Sequence, residues 1–318
     1  MSLDTAVTRH LRAAGLDPQD TERVIRGALA EDLRYGPDVT SGATAGPDVR
    51  APAAVVAREP GVLAGLPVAL AVLDAAGILA LDAAGVAAPG AAGVATRGVA
   101  AGVWGSAEVL AADGDRISAG TAVLRIEAPL RELLGAERTL LNFLTHLSGI
   151  ATTTRAWADA LAGTGCAVRD TRKTIPGLRQ LEKYAVRCGG GLNHRMGLGD
   201  AALIKDNHVA AAGGVAQAIK AVRAAAPDLP LEVECDDLDQ VTEALEAGAG
   251  LILLDNMGLA ALRAAVDLAR GYPSVKCEAS GGLHLDQARA VAQTGVDFVA
   301  VGALTHSSPA LDLGLDLL

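Results

Sequence analysis

Cysteine is scarce and dispersed in this chain of 318 residues. Cys166, Cys188, Cys235 and Cys277 stand too far apart for a short zinc-binding pattern and are too few for a secreted disulfide scaffold, so they read as reduced core residues. A net positive charge is also missing. With 27 Lys and Arg against 37 Asp and Glu, the formal charge is -10, and its long-range field repels nucleic acid and anionic membrane surfaces. An anionic ligand must therefore be met by a local cluster. No basic segment followed by an apolar one opens the chain, because Asp4, Asp17 and Asp20 interrupt it. The Ala-rich region 66–112 is broken by Asp74, Asp82, Pro89 and repeated glycines before it could span a bilayer. Neither export nor membrane insertion is expected, which points to a cytoplasmic protein. What is abundant is apolar: 51% hydrophobic residues exclude disorder and supply a core for one large domain or two smaller ones.

The first half has no regular beat. Helical patterns at Val7–Leu11 and Val24–Leu29 precede a strand "APAAVVARE", a helix "LPVALAVLDAAG" and two strands, "VWGSAEVLAA" and "TAVLRIEA". The last two flank "DGDRISAG", whose Asp and Gly residues suit a tight connection. This pattern resembles the half-barrel of lipoyl and biotinyl carriers, but the turn has no lysine, so the piece reads as structural. The Ala/Gly-rich stretch 75–101 receives no assigned structure beyond that helix. A long helical pattern from Pro129 then leads into a different regime. From Cys166 onward the strand-like runs "CAVRDT", "AALIKD", "LEVECD", "LILLDN", "VKCEAS" and "FVAVG" alternate with helix-compatible segments, which implies an α/β fold with a parallel sheet and right-handed crossovers. Asp170 to Lys173, Lys205, Glu234, Asp255, Ser280 with Gly281, and Gly302 fall at or just beyond the C-terminal ends of these strands. That is where a β/α barrel carries its active site, and it favours a closed over an open sheet.

Charge is concentrated in the same place. Between Arg169 and His208 there are eight Lys or Arg against four Asp or Glu, while the rest of the chain holds 19 against 33 (27 less 8, and 37 less 4). Such a cluster at a barrel mouth suits a polyanion. Arg179, Lys183 and Arg187 follow a helical rhythm, and at least two of them are expected merely to coat a solvated face. Arg172, Lys173, Arg195 and Lys205 sit in turns or at a strand end, where arginine suits bidentate carboxylate or phosphate contacts and lysine a point-charge contact. The glycine-bearing ends "EASGGL" and "VAVGALTHS" come last in the alternation, where barrels often build phosphate sites. Glu234 and Asp255 either neutralise neighbouring arginines or hold sugar hydroxyls or magnesium. His194 and His208 are not assigned as acid or base, since a lone histidine is more often structural.

The string "RDTRKTIPGLRQLEKYAVRCGGGLNHRMGLGDAALIKDNHV", followed by "EVEC", "LLDNM", "EASGGL" and "VGALTHS", closely resembles the quinolinate phosphoribosyltransferase family. "GALAEDL", "DVTS" and "ERTLLNFLTHLSGIAT" extend the resemblance over nearly the whole chain. It implies an incomplete β/α barrel of six to seven strands with an N-terminal α/β sandwich. The sandwich would cover 1–128, joined by the tail 305–318, and the long helix with the barrel would cover 129–304. It also implies transfer of a phosphoribosyl group from phosphoribosyl pyrophosphate to quinolinate with magnesium, releasing pyrophosphate and CO2, in a homodimer with shared sites. By motif, Arg138 would enter the partner's site, and Arg172, His194, Arg195 and Lys205 would grip the two quinolinate carboxylates. Thr171 and Lys173 would approach the phosphate-rich substrate, Glu234 and Asp255 would engage ribose hydroxyls and magnesium, and Ser280, Gly281, Gly302 and His306 would hold the 5′-phosphate. Alternatives are a type II enzyme acting on nicotinate or another acceptor, a Schiff-base aldolase using a strand-end lysine, and a phosphoribosyl sensor without activity.

Overall fold

The computed structural model describes residues 3–79 and 105–318, so most of the Ala/Gly-rich stretch 75–101 and the start of the strand "VWGSAEVLAA" lie outside the described residues. The chain folds as two compact units, one of residues 1–153, 175–189 and 308–318, the other of 154–174 and 190–307.

The first unit opens with helices Thr5–Ala13 and Pro18–Asp32. Each starts where an aspartate caps it: Asp4 accepts from the Ala6 N–H at 2.7 Å and Asp17 from the Gln19 N–H at 2.8 Å. Strands β1 (Arg50–Ala57), β2 (Gly61–Val62), β3 (Ser106–Val109), β4 (Arg116–Ile117) and β5 (Ala122–Pro129) follow. β1, β3 and β5 form an antiparallel sheet completed by the last strand of the chain, Leu313–Leu317, against β1. β5 shows the period of two expected of a half-covered sheet, with Leu124, Ile126 and Ala128 buried and Arg125 and Glu127 turned to solvent. β2 pairs with β4, which lies within "DGDRISAG", as a separate two-stranded ribbon. Asp113 in that segment is half-buried and accepts from the Gly65 N–H at 2.8 Å, capping the helix Leu66–Ala75, and from the Tyr184 hydroxyl at 2.5 Å.

The boundary expected at residue 128 lies elsewhere. Leu133, Ala136, Leu140, Leu144 and Leu147 form a buried stripe at helical spacing on Leu130–Leu161. The same helix accepts the Val62 N–H on Thr152 Oγ1 at 2.8 Å and the Ala64 N–H on Ser148 Oγ at 3.0 Å. It is thus bound into the first unit up to residue 153. The helix Arg179–Cys188 joins the same unit, and the expectation that at least two of its three cations face solvent leaves one of them to the interior. Arg187 is exposed and Arg179 half-buried, but Lys183 is fully buried, within a run from Leu181 to Val186 that is buried throughout. Beside it, buried Glu182 lies 2.9 Å from His146 Nε2 and accepts from the Ile175 N–H.

The second unit holds six strands, β6 (Ala167–Arg169), β7 (Ala202–Ile204), β8 (Leu231–Cys235), β9 (Leu251–Asp255), β10 (Lys276–Ser280) and β11 (Phe298–Ala300), leaving Leu313–Leu317 as β12. They are parallel in the order β6-β11-β10-β9-β8-β7, so the first strand closes against the last while β6 and β7 do not pair. Only a single bridge, Arg169 to Leu192, stands beside the free edge of β6. The sheet is an incomplete barrel. Val233, Cys235, Ile252, Leu254, Cys277, Ala279 and Val299 are buried in its wall, as parallel strands covered on both faces require. The four cysteines are free thiols; burial pushes Cys166, Cys188 and Cys235 up to about 12 and Cys277 to about 11, which suits inert core residues. No described helix is long and apolar enough to cross a membrane.

Candidate functional site

The chain turns outward at the C-terminal ends of the barrel strands, and a cavity of about 380 Å³ opens there. Arg172 and Lys173 follow β6, Lys205 follows β7, Glu234 is near the end of β8, Asp255 closes β9 and Ser280 closes β10. Thr171, His194 and Arg195 join the polar lining, as does Glu278. Nine expected positions therefore share one cavity on one unit. "AALIKDNHV" divides as expected at Lys205: Ile204 is buried in the wall and Lys205 is exposed at the mouth. His208 serves the backbone, its Nδ1 accepting the Lys205 N–H at 3.0 Å.

The cations are arranged in two ways. Lys205 Nζ lies 2.5 Å from Glu234 Oε2, an ion pair on the side where solvent reaches the lysine. Arg172 and Arg195 are different, because the buried Nε of each has no hydrogen-bond partner. Arg195 keeps only part of its fork occupied, donating from Nη1 to the Ala201 carbonyl at 3.0 Å. Burial, and then Arg172 nearby, hold the Arg195 guanidinium below its ordinary pKa. Two adjacent guanidinium groups with unmet donors form a site that an anion would complete.

Asp170 explains how these cations are held. Fully buried, it accepts from Asn193 Nδ2 at 2.5 Å and from the His194 N–H at 2.8 Å, which fixes the segment carrying His194 and Arg195 beside β6. His194 in turn accepts the Arg195 N–H on Nδ1 at 2.7 Å, while its Nε2 lies 2.7 Å from Glu232 Oε2. The ring proton therefore belongs on Nε2, and both nitrogens already have partners on the chain.

A second group of expected residues gathers around Gly302. A Cβ added there would stand 2.9 Å from Lys173 Cδ and 3.4 Å from both Thr171 Oγ1 and His306 Nε2, so glycine is what allows these side chains to converge. The Lys173 N–H donates to Thr171 Oγ1 at 2.9 Å, and the Thr305 hydroxyl donates to the Lys173 carbonyl at 2.8 Å. Across the barrel end, Asp255 Oδ2 accepts from Asn256 Nδ2 at 2.5 Å. Asn256 has a φ of 53°, the one positive value outside glycine among the described residues, and its N–H reaches the Ser280 carbonyl at 2.9 Å. Gly281, at a φ of 91°, leaves room for the Asn256 side chain.

Arg138 is not in this set. It lies exposed on the helix Leu130–Leu161, in the part belonging to the first unit, and does not line the cavity. Of the eight cations counted as a mouth, Arg179, Lys183 and Arg187 also belong to the first unit. Arg169 points within the barrel, with Nη1 2.6 Å from Glu278 Oε2 and its guanidinium 4.9 Å from the Phe298 ring centre.

Glu232 and Glu278 escaped the sequence reading. Both are buried, and with His194 they form a compact group inside the barrel. The available signal was a charge in the interior of the apolar runs "LEVEC" and "KCEAS", where both strand faces are covered.

Comparison with known proteins decides the family. Residues 38–148 match the quinolinate phosphoribosyl transferase N-terminal domain and residues 150–316 the C-terminal domain of the same enzyme. The chain belongs to the quinolinate phosphoribosyl transferase family. It is 51% identical over 295 residues to a carboxylating nicotinate-nucleotide pyrophosphorylase of Mycobacterium leprae, covering 92% of this chain and 95% of that one. A solved nicotinate-nucleotide pyrophosphorylase from Francisella tularensis superposes with a TM-score of 0.82 at 36% identity, covering 94% of this chain and 96% of that chain. Human nicotinic acid phosphoribosyltransferase, at 15% identity and a TM-score of 0.58, shares the fold alone. Membership of the quinolinate phosphoribosyl transferase family accounts for the two-part architecture.

Proposed function

We infer that this chain transfers a phosphoribosyl group from phosphoribosyl pyrophosphate to quinolinate and removes the 2-carboxylate, giving nicotinate mononucleotide, pyrophosphate and CO2 in de novo NAD synthesis. The observation that carries the reading is the pair of buried, unpartnered Nε donors of Arg172 and Arg195 in one cavity with Lys173 and Lys205. Buried donors without partners are costly, and a pyridine dicarboxylate can meet both of them where a monocarboxylate meets fewer. The assigned grip on the acceptor is Arg172, Arg195 and Lys205, with His194 holding the Arg195 backbone through Nδ1. Lys173, Thr171, Ser280, Gly281, Gly302 and His306 take the phosphates, a role supported by their convergence around Gly302 and by the glycine turn after β10.

Glu234 and Asp255 offer hard oxygen donors at the ends of neighbouring strands, and the free edges left by Lys205 and Asn256 fit magnesium or ribose hydroxyls. Bound there, magnesium would stabilise charge on departing pyrophosphate. The chain's own residues do the rest: the arginines hold the ring so that its nitrogen faces the anomeric carbon, and that orientation replaces any need for a protein nucleophile. Once alkylated, the ring nitrogen draws electrons from the adjacent carboxylate, and CO2 leaves by the substrate's own chemistry. The site works in a homodimer in which Arg138 completes the partner's cavity, a role supported by its exposure on the helix Leu130–Leu161. The aldolase alternative is disfavoured because Lys205 is ion-paired rather than free in an apolar pocket.

Calorimetric titration of quinolinate and nicotinate tests the cation argument. Quinolinate should bind about 10³-fold more tightly or better, with much of that margin lost in Arg195→Lys; equal affinities would refute it.

A further inference from the structure

Glu278 is a charged residue of the cavity lining to which the roles above give no work. It sits in the middle of β10, fully buried, and its two oxygens differ. Oε2 accepts from Arg169 Nη1 at 2.6 Å, whereas buried Oε1 has no partner. The charged and titratable groups that face it are Arg169 from β6, Glu232 from β8, His194 from the segment beside β6, and the neutral Cys166 thiol. His194 Nε2 is 3.7 Å from Oε1, but its hydrogen is directed to Glu232 at 2.7 Å. Glu232 has an unpartnered Oε1 of its own. Of the two buried carboxyl groups only Glu278 is paired with Arg169, and burial beside a second carboxyl favours its protonated form. Arg169 occupies Oε2 of Glu278, so the proton belongs on Oε1. Burial, then Glu232, push the Glu278 carboxyl up to about 7.

The reaction needs such a proton. Loss of CO2 leaves the bonding pair on C2 of the pyridinium ring, and that carbon must gain a hydrogen before the product is nicotinate mononucleotide. Arginines and an ion-paired lysine are poor donors for this step. Glu234 is tied to Lys205, and Asp255 lies with Asn256 at the mouth.

We propose that Glu278 is the catalytic acid that protonates C2 as CO2 departs. The C2–CO2 bond breaks with its electrons kept by C2, the Oε1–H bond breaks, and a C2–H bond forms. The resulting carboxylate pairs with Arg169 and regains its proton from water after product release. Until C2 is protonated, the ring can recapture CO2, so the acid commits the decarboxylation. This rests on quinolinate being the acceptor.

The test measures pyrophosphate and CO2 from the same turnover in wild type, Glu278→Gln and Glu278→Asp. The wild type should release them one to one. Glu278→Gln keeps the shape and an acceptor for Arg169 but has no acidic proton. Its CO2 release should fall roughly 10²-fold below wild type, pyrophosphate should run ahead, and the undecarboxylated dicarboxylate nucleotide should accumulate by mass. Glu278→Asp should show the same lag to a smaller degree, and it carries the test if the glutamine variant does not fold. Releases that stay one to one in both variants, however slow, would reduce Glu278 to a structural role and overturn the proposal. A wild type that binds both substrates but yields no CO2 would overturn the acceptor assignment and, with it, this step.

Discussion

Arg195 shows how single residues at this site are constrained three times over. Its N–H is held by His194, one of its terminal nitrogens by the Ala201 carbonyl, and its Nε is left for a ligand. A lysine there has a point charge and no planar fork, so Arg195→Lys should lower kcat/KM for quinolinate by about 10²-fold while changing KM for phosphoribosyl pyrophosphate little. Steady-state kinetics with each substrate varied separately checks the split. Glu278 carries a second consequence, for stability. Its folded-state pKa of about 7 lies above the ordinary 4.5, so its favourable contribution is fully present below pH 4.5 and is lost as pH rises through about 7. Glu278→Gln does not titrate, and between about pH 4.5 and 7 its urea midpoint should decline less than that of the wild type. Parallel declines would show that the carboxyl does not hold its proton in the folded state.

At the level of elements, the barrel was legible because each strand announces itself twice, by an apolar run and by the polar residue that ends it. Lys205, Asp255 and Ser280 mark the ends of their strands where the alternation placed them. The patterns at Val7–Leu11 and Val24–Leu29 likewise fall within the helices Thr5–Ala13 and Pro18–Asp32, the capping aspartates going unread. What escaped was anything decided by packing. The amphipathic helix Arg179–Cys188 has a rhythm compatible with solvent on its cationic face, yet Lys183 is buried because that helix packs in the first unit, a choice no local pattern contains. Asp113 looked like a turn residue and proved to cap a helix nearly fifty residues earlier. The glycine loops could be read, but not the reason for them. Gly302 is required by the approach of Lys173, so Gly302→Ala should displace that lysine and raise KM for phosphoribosyl pyrophosphate about tenfold or more, with a smaller change in quinolinate affinity. Binding measured separately for the two substrates would expose the difference.

For the whole molecule, a net acidic chain collects cations at one barrel mouth, and the proposed dimer would draw one more, Arg138, from another subunit. Co-assembly tests the last point. Arg138→Ala and Lys205→Ala chains should each be inactive, while a hybrid dimer keeps one of its two sites intact and regains about half the wild-type activity; demonstrated hybrids without recovery would remove Arg138 from the partner's site. The central claim is decarboxylating transfer to a dicarboxylate. It is tested most directly by following labelled CO2 from the 2-carboxylate together with pyrophosphate, with phosphoribosyl pyrophosphate and magnesium held fixed and quinolinate or nicotinate as acceptor. The cation arrangement requires stoichiometric CO2 and pyrophosphate from quinolinate, and a kcat/KM exceeding that for nicotinate by about 10³-fold or more. Comparable values for the two acids, or nucleotide formed from quinolinate without CO2, would contradict it.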